Sequence, residues 1–181
     1  SQRLYASLVS QHETTKNADD SQEEVTFLLK GGLIFFEGQF EGQKAPYILD
    51  TGAPSLILNH PHAVNDENEI EAYGISGKTS VQQFEADEFE FAHIIKKKLN
   101  AYATDFSHLE KIKRSRIRGL IGYEALKDHE LMIDYQQQRL ILLDPNRSSS
   151  TYRDKQVSHE LRFKRRGHFP VVKVKIGKKY Y

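Results

Sequence analysis

The stretch Tyr47-Ile48-Leu49-Asp50-Thr51-Gly52-Ala53-Pro54-Ser55-Leu56-Ile57-Leu58 decides the fold of this chain. Apolar runs on both sides of Asp50-Thr51-Gly52 predict a tight turn between two buried strands. Gly52 has no Cβ, so its backbone N–H can approach the Asp50 carboxylate closely. A buried carboxylate is costly unless it is hydrogen-bonded or paired. The position of Asp50 therefore calls for a structural or functional explanation.

Further along the chain, a second pattern accompanies this turn. Gly119-Leu120-Ile121-Gly122 follows a basic segment, Lys96–Arg118, and opens a short helix predicted over Tyr123–His129. The apolar runs Leu131–Tyr135 and Leu140–Leu143 then predict a hairpin. Taken alone, Asp-Thr-Gly is also typical of an ordinary surface turn, so the interpretation depends on these neighbours.

Strand patterns dominate the rest of the chain. Val25–Lys30 and Leu33–Phe40 predict two strands joined by a turn at Gly31-Gly32. Phenylalanines near alternating spacing between positions 84 and 91 favour half-buried strands. Many short strands and few helices point to a mostly β architecture.

In this order the motifs resemble the retropepsin-like aspartic proteases. In that family an apolar strand runs into Asp-Thr-Gly-Ala, and a flap hairpin, two apolar residues with a glycine, a short helix and a closing hairpin follow. The matching pieces are Ile48–Ala53, Leu120-Ile121-Gly122 and Met132–Tyr135, and the resemblance covers Val25–Asp144. It implies a closed β-barrel with one short helix.

The resemblance also implies a role for each residue of the turn. Asp50 would be the catalytic carboxylate, Thr51 would bond to the equivalent turn of a second copy, and Gly52 would donate its amide to the carboxylate. Ala53 lacks a hydroxyl that could bond the carboxylate, which suggests a less acidic working pH than that of pepsin-like enzymes. Leu120-Ile121-Gly122 would form the strand beneath the active turn.

A flap over the substrate is expected at Tyr73-Gly74-Ile75-Ser76-Gly77, with Tyr73, Gly74 and Gly77 as its marked residues. An exposed glycine hairpin without a role in binding explains the same residues equally well. Pro54 departs from the retroviral pattern, in which an acidic residue often follows the alanine.

The chain contains a single Asp-Thr-Gly, whereas the mechanism of this family needs two carboxylates that share a proton. None of the other aspartates after Asp50 is followed by Thr-Gly or Ser-Gly. The second half of the site would come from an identical chain around a twofold axis or from a second lobe. Residues near 169–176 match residues near 33–40 at a constant offset of 136, which suggests the start of such a lobe. A basic edge strand or a dimer-interface strand are the alternatives.

Composition excludes several functional classes. The 181 residues carry 26 basic and 25 acidic side chains, which argues against a nucleic-acid protein held mainly by phosphate contacts. The absence of cysteine excludes disulfide scaffolds, thiolate zinc sites and a cysteine nucleophile. No apolar run approaches the roughly 20 residues of a transmembrane helix. His60-Pro61-His62 is a weak metal signal without further ligands, so no metal or organic cofactor is expected.

These observations predict three segments: a flexible lead-in at 1–24, the retropepsin-like lobe at 25–146, and a linker with a second-lobe start or interface strand at 147–181. The expected function is an aspartic peptidase lobe that acts on a peptide or protein substrate once a second lobe or identical chain completes it. A non-catalytic peptide-binding or assembly module on the same fold is the alternative, and a β-rich interaction domain is a third. Sequence does not fix the compartment, although we favour a secreted or periplasmic location over a cytoplasmic one.

Overall fold

The computed structural model describes residues 3–6, 22–60, 69–74, 77–146 and 159–180. Over this part of the chain there are sixteen strands and two short helices, so the prediction of a mostly β architecture is confirmed. No helix in the described ranges is long and apolar enough to cross a membrane.

Ten of the strands form the main sheet, in the order β10-β11-β2-β3-β4-β9-β5-β8-β7-β6. Their bounds are β2 Gln22–Lys30, β3 Leu33–Phe40, β4 Gln43–Leu49, β5 Leu56–Asn59, β6 Glu69–Gly74, β7 Gly77–Phe91, β8 Ile94–Thr104, β9 Gly119–Ile121, β10 Glu130–Asp134 and β11 Arg139–Leu143. Most neighbouring strands are antiparallel, but β4 runs parallel to β9, and β5 runs parallel to β8.

An additional pairing turns part of this sheet into a ring. The end of β3 pairs with the end of β7, where Gly38 lies opposite Phe91 and Phe40 lies opposite Phe89. This contact joins the two ends of the run β3-β4-β9-β5-β8-β7, so each of these strands has hydrogen-bonded neighbours on both sides. Among the described strands, β10 and β6 remain at the two ends of the ten-stranded order.

The main core draws on strands of this ring, on β2 and β11, and on the short helix that follows β9, and Tyr47 within it is fully buried. Its ring meets that of Phe89 edge to face, with centroids 5.0 Å apart. Two glycines make room for it, since a Cβ at Gly38 would lie 2.9 Å from the Tyr47 ring and one at Gly119 would lie 3.1 Å from it. Burial raises the pKa of Tyr47 to about 12, although the nearby charge of Arg118 acts to lower it. Strand β4, which leads into Asp50, is therefore held in place by the packing of Tyr47 in the core.

The helices differ from the sequence-based expectation of one short helix. The predicted helix after Gly122 is present as α2, Tyr123–Leu126, and a second helix, α1, spans Ser107–Lys113 within the basic segment. None of the seven residues of α1 is buried, so it lacks the apolar face that would have marked it in the sequence. Its Leu109 is only partly buried, against a small cluster that includes Ile117.

Three small two-stranded sheets complete the described residues. They pair β1 Arg3–Ala6 with β12 His159–Arg162, β13 Lys164–Arg166 with β14 Phe169–Val171, and β15 Lys175–Ile176 with β16 Lys179–Tyr180. Within the predicted lead-in at 1–24, the described residues 3–6 and 22–24 are therefore strand, and β2 begins three residues before the predicted start at Val25.

Candidate functional site

Asp50 lies at the point where β4 ends, and the backbone around it is tied to β9. Its amide donates a hydrogen bond to the Ile121 carbonyl at 2.9 Å, and its carbonyl accepts one from Ala53 N–H at 3.0 Å. Strand β9 lies between β4 and β5, with Leu49 opposite Ile121 and Ile57 opposite Leu120. The predicted supporting strand thus lies beside both strands that carry the turn.

The carboxylate of Asp50 is held by the turn itself. Gly52 donates its backbone N–H to Asp50 Oδ1 at 2.9 Å, which fixes one oxygen of the carboxylate. Asp50 is half-buried, whereas Thr51 beside it is exposed. The turn therefore presents the oriented carboxylate of Asp50 and the exposed hydroxyl of Thr51 at the protein surface.

Because Gly122 has no side chain, the other side of the turn can pack against the start of helix α2. A Cβ at Gly122 would lie 2.3 Å from the Ala53 carbonyl oxygen, so no other residue fits without moving backbone. The same Ala53 carbonyl accepts a hydrogen bond from Tyr123 N–H at 2.9 Å, and the Pro54 carbonyl accepts one from Glu124 N–H at 3.0 Å. The first amides of a helix have no partner within the helix, and here the turn satisfies them.

Gly119, which the sequence marked only as the start of the apolar run, has a similar packing role. A Cβ there would lie 2.4 Å from the Ile57 carbonyl oxygen. The two glycines that bracket Leu120-Ile121 therefore allow β9 to pass close to both ends of the segment that carries Asp50. In the sequence, the pattern that indicates this close approach is a glycine on each side of Leu120-Ile121.

The tail of the chain also reaches this region, which the sequence did not predict. A Cβ at Gly52 would lie 4.0 Å from the ring of Phe169, on β14. The guanidinium of Arg165, on β13, lies 4.8 Å from the ring centre of Tyr123 and donates a hydrogen bond to its hydroxyl. The hairpin β13–β14 therefore contacts the start of α2 through Arg165 and lies near the Asp50 turn at Gly52.

Beyond α2, a group of three charged or titratable side chains ties the helix end to β8. Lys96 Nζ lies 3.0 Å from Asp128 Oδ2, and this hydrogen bond holds the pKa of the Asp128 carboxyl below its usual value. The pKa of His129 is lowered, first by burial of the imidazole and then by the positive charge of Lys96. His129 therefore favours its neutral form in the folded chain.

The predicted flap residues lie at the end of a long hairpin. Strands β6 and β7 pair with Tyr73 opposite Lys78 and Gly74 opposite Gly77. Ile75 and Ser76, at the predicted tip, lie outside the described residues, as do Pro61 and His62 of the histidine motif. A role of this hairpin in binding stays a prediction. Among the described residues, no group of three or more His, Asp or Glu side chains is arranged to hold a metal ion.

Comparison with known proteins gives similarity at the level of structure. No family model and no curated protein matches the chain. Among solved structures, the chain is similar to a retropepsin-like aspartic protease from Rickettsia conorii, with a TM-score of 0.44 and 16% sequence identity. The match covers 67% of this chain and 92% of the other.

Proposed function

We propose that this chain carries one half of an aspartic peptidase active site, with Asp50 as the catalytic carboxylate. The observation that carries the proposal is the Asp50 turn itself. Its carboxylate is oriented by the Gly52 amide, is partly open to solvent, and is built on backbone that Gly122 and α2 lock in place. Rigid positioning of a reactive group on the scaffold is what acid–base catalysis requires. The Asp-Thr-Gly-Ala and Leu-Ile-Gly motifs of the retropepsin-like family fall on the pieces that meet here.

The chemistry requires a second carboxylate beside the first. Two carboxylates a few Å apart cannot both ionise easily, so one stays protonated while the other is charged. The charged one would take a proton from a water that attacks the peptide carbonyl, and the protonated one would donate to the carbonyl oxygen. Asp50 would supply one of these groups, and Thr51, which is exposed, would bond to the turn that supplies the other.

An extended peptide is the substrate that this arrangement fits. Strand-like peptides are recognised by backbone hydrogen bonds along a sheet edge or hairpin. The hairpin β6–β7, whose paired ends include Gly74 and Gly77, would close over such a peptide above the Asp50 turn. Tyr73, next to the end of the hairpin, would then lie on the strand that faces the peptide.

The proposal is tested by peptide cleavage with the Asp50→Asn variant of the natural full-length protein. Asparagine keeps an oxygen that can accept the Gly52 amide hydrogen bond, so we expect an unchanged fold. We expect the cleavage rate on a peptide library to fall by about 10²–10⁴-fold or more, since a catalytic acid–base group is lost. Asp134→Asn is the matched control, because Asp134 also accepts a backbone N–H, from Gln137 at 2.8 Å. Equal rates for the wild type and Asp50→Asn would refute the assignment.

A non-catalytic peptide-binding module is the other outcome of this test. In that case wild-type protein would bind extended peptides without cleaving them, and Asp50→Asn would leave their affinity unchanged.

A further inference from the structure

The pairing of the terminal strands repeats the pairing within the lobe at one constant offset. Lys164 pairs with Val171 as Leu28 pairs with Phe35, each residue 136 positions further on. In the next hairpin, Lys175 pairs with Tyr180 as Gln39 pairs with Lys44, at the same offset of 136. Hairpins of this kind are common, but nothing requires two of them to keep the same spacing and register.

The N-terminal strand takes part in the same pattern of strand pairing. In the lobe, Arg139 on β11 pairs with Thr26 on β2. Arg3 on β1 pairs with Arg162 on β12. Arg162 lies 136 positions after Thr26, whereas Arg3 comes from the opposite end of the chain, 136 positions before Arg139. The remaining pairs of β1 with β12 follow in the same register. Strand β12 thus occupies the place of β2, and β1 occupies the place of β11.

Sequence and backbone geometry agree with this correspondence at several positions. The first loop residue after β2 and after β13 is a glycine with a left-handed φ, 56° at Gly31 and 61° at Gly167. Phe163 lies 136 positions after Phe27, and the two residues are identical. Local turn chemistry and strand pairing therefore point to one repeated unit.

The apolar side chains of the tail lack the core that their counterparts have. Ile176 is 68% exposed, whereas Phe40, one offset earlier, is 6% exposed. Val172 is likewise exposed, whereas its counterpart Phe36 is buried. Several exposed apolar side chains within one short stretch of chain mark a surface that a partner covers.

We propose that residues 159–180 are the first strands of a second lobe with the plan of residues 22–143, and that Arg3–Ala6 supplies the last strand of that second lobe. The rest of the second lobe is the partner that covers the exposed apolar residues of the tail. The pairing of β1 with β12 would then tie the beginning of the chain to its second lobe.

The place of the tail gives this repeat a functional meaning, which rests on the proposed peptidase site. The β13–β14 hairpin lies near the Asp50 turn, with Phe169 close to Gly52 and Arg165 in contact with Tyr123. The second lobe therefore starts at the face where a second carboxylate is needed. Its counterpart of Asp50 would follow one repeat length, 136 residues, later, and the same chain would complete the site.

Two measurements test the proposal without any assay of cleavage. The first is the coding sequence after the codon for Tyr181. We expect Asp-Thr-Gly or Asp-Ser-Gly between two apolar runs, one repeat length after Asp50. A stop codon, or a sequence without this motif, would overturn the proposal even if the Asp50→Asn variant is inactive.

The second measurement is disulfide formation in a chain that has no native cysteine. The variant Arg3→Cys with Arg162→Cys places cysteines at paired positions, and Thr26→Cys with Arg139→Cys is the matched pair in the lobe. We expect an intramolecular disulfide in both, and a much slower reaction when Arg3→Cys is combined with Lys164→Cys. Failure of the Arg3–Arg162 pair while the lobe pair reacts, or a bond formed only between two chains, would contradict the proposal.

Discussion

The lobe and the tail use the same hairpin in two different environments. In β2–β3 and in β13–β14, the same register follows a glycine in the left-handed region. In the lobe, the residues of β3 that follow the turn pack into the core, whereas all three residues of β14 are exposed. The comparison teaches that turn chemistry determines the pairing of a hairpin locally, whereas burial depends on strands that arrive from elsewhere in the chain.

Truncation of equivalent side chains should give the largest difference in stability loss between the lobe and the tail. Phe36→Ala removes a ring that is buried in the core and in contact with Phe91, with ring centroids 5.9 Å apart. We expect a loss of about 3–5 kcal/mol in the free energy of unfolding. Val172→Ala, at the equivalent position of the tail, should change it by less than about 0.5 kcal/mol. Urea unfolding of both variants of the 181-residue chain measures this difference, and equal losses would show that the tail shares the core.

Substitution of glycines should give a smaller contrast. Gly122→Ala brings a Cβ to within 2.3 Å of the Ala53 carbonyl oxygen, so backbone must shift and about 2–4 kcal/mol of stability should be lost. Gly167→Ala meets no atom within 4 Å, and only its positive φ opposes the change. It should leave the unfolding midpoint of the lobe unchanged. A Gly122→Ala variant as stable as the wild type would show that the turn and α2 are not locked together.

The smallest expected effect is on the pH dependence of the free energy of unfolding. Because the folded chain lowers the pKa of His129, the unfolded chain binds the proton more readily. Stability should therefore fall as pH decreases below the ordinary histidine value of about 6.5, until the folded-state pKa is passed. His129→Gln should reduce this loss between pH 7 and 5. Unfolding midpoints measured across that pH range test it, and identical pH profiles for the wild type and His129→Gln would contradict it.

The fold could be predicted from the sequence wherever local pattern determined local structure. The apolar runs around Asp50, the Gly31-Gly32 turn and the closing hairpin each carry their own signal of alternation or turn residues. Helix α1 was not predicted because none of its residues is buried and because it lies within a charged segment. The pairing of β1 with β12 could not be read directly, since it joins residues from opposite ends of the chain.

The candidate site also contains some contacts that the sequence predicted and others that it did not. The sequence predicted that Gly52 would bond to Asp50, because a glycine two residues after a carboxylate suits that contact. It did not predict that Pro54 and Ala53 would offer their carbonyls to the start of α2, or that Phe169 would lie beside the turn. These contacts depend on how distant strands pack, which residue types alone do not reveal.

The central claim is that a single Asp50 turn is half of a site and cannot cleave peptides alone. The direct measurement is cleavage activity across a size-exclusion profile with the mass of each fraction determined by light scattering. The account predicts no cleavage in the fraction of the 20.9 kDa monomer. Activity should appear only in species that bring two such turns together, either two chains or one chain with a second lobe. Cleavage by the monomer of the 181-residue chain, abolished by Asp50→Asn, would contradict the account.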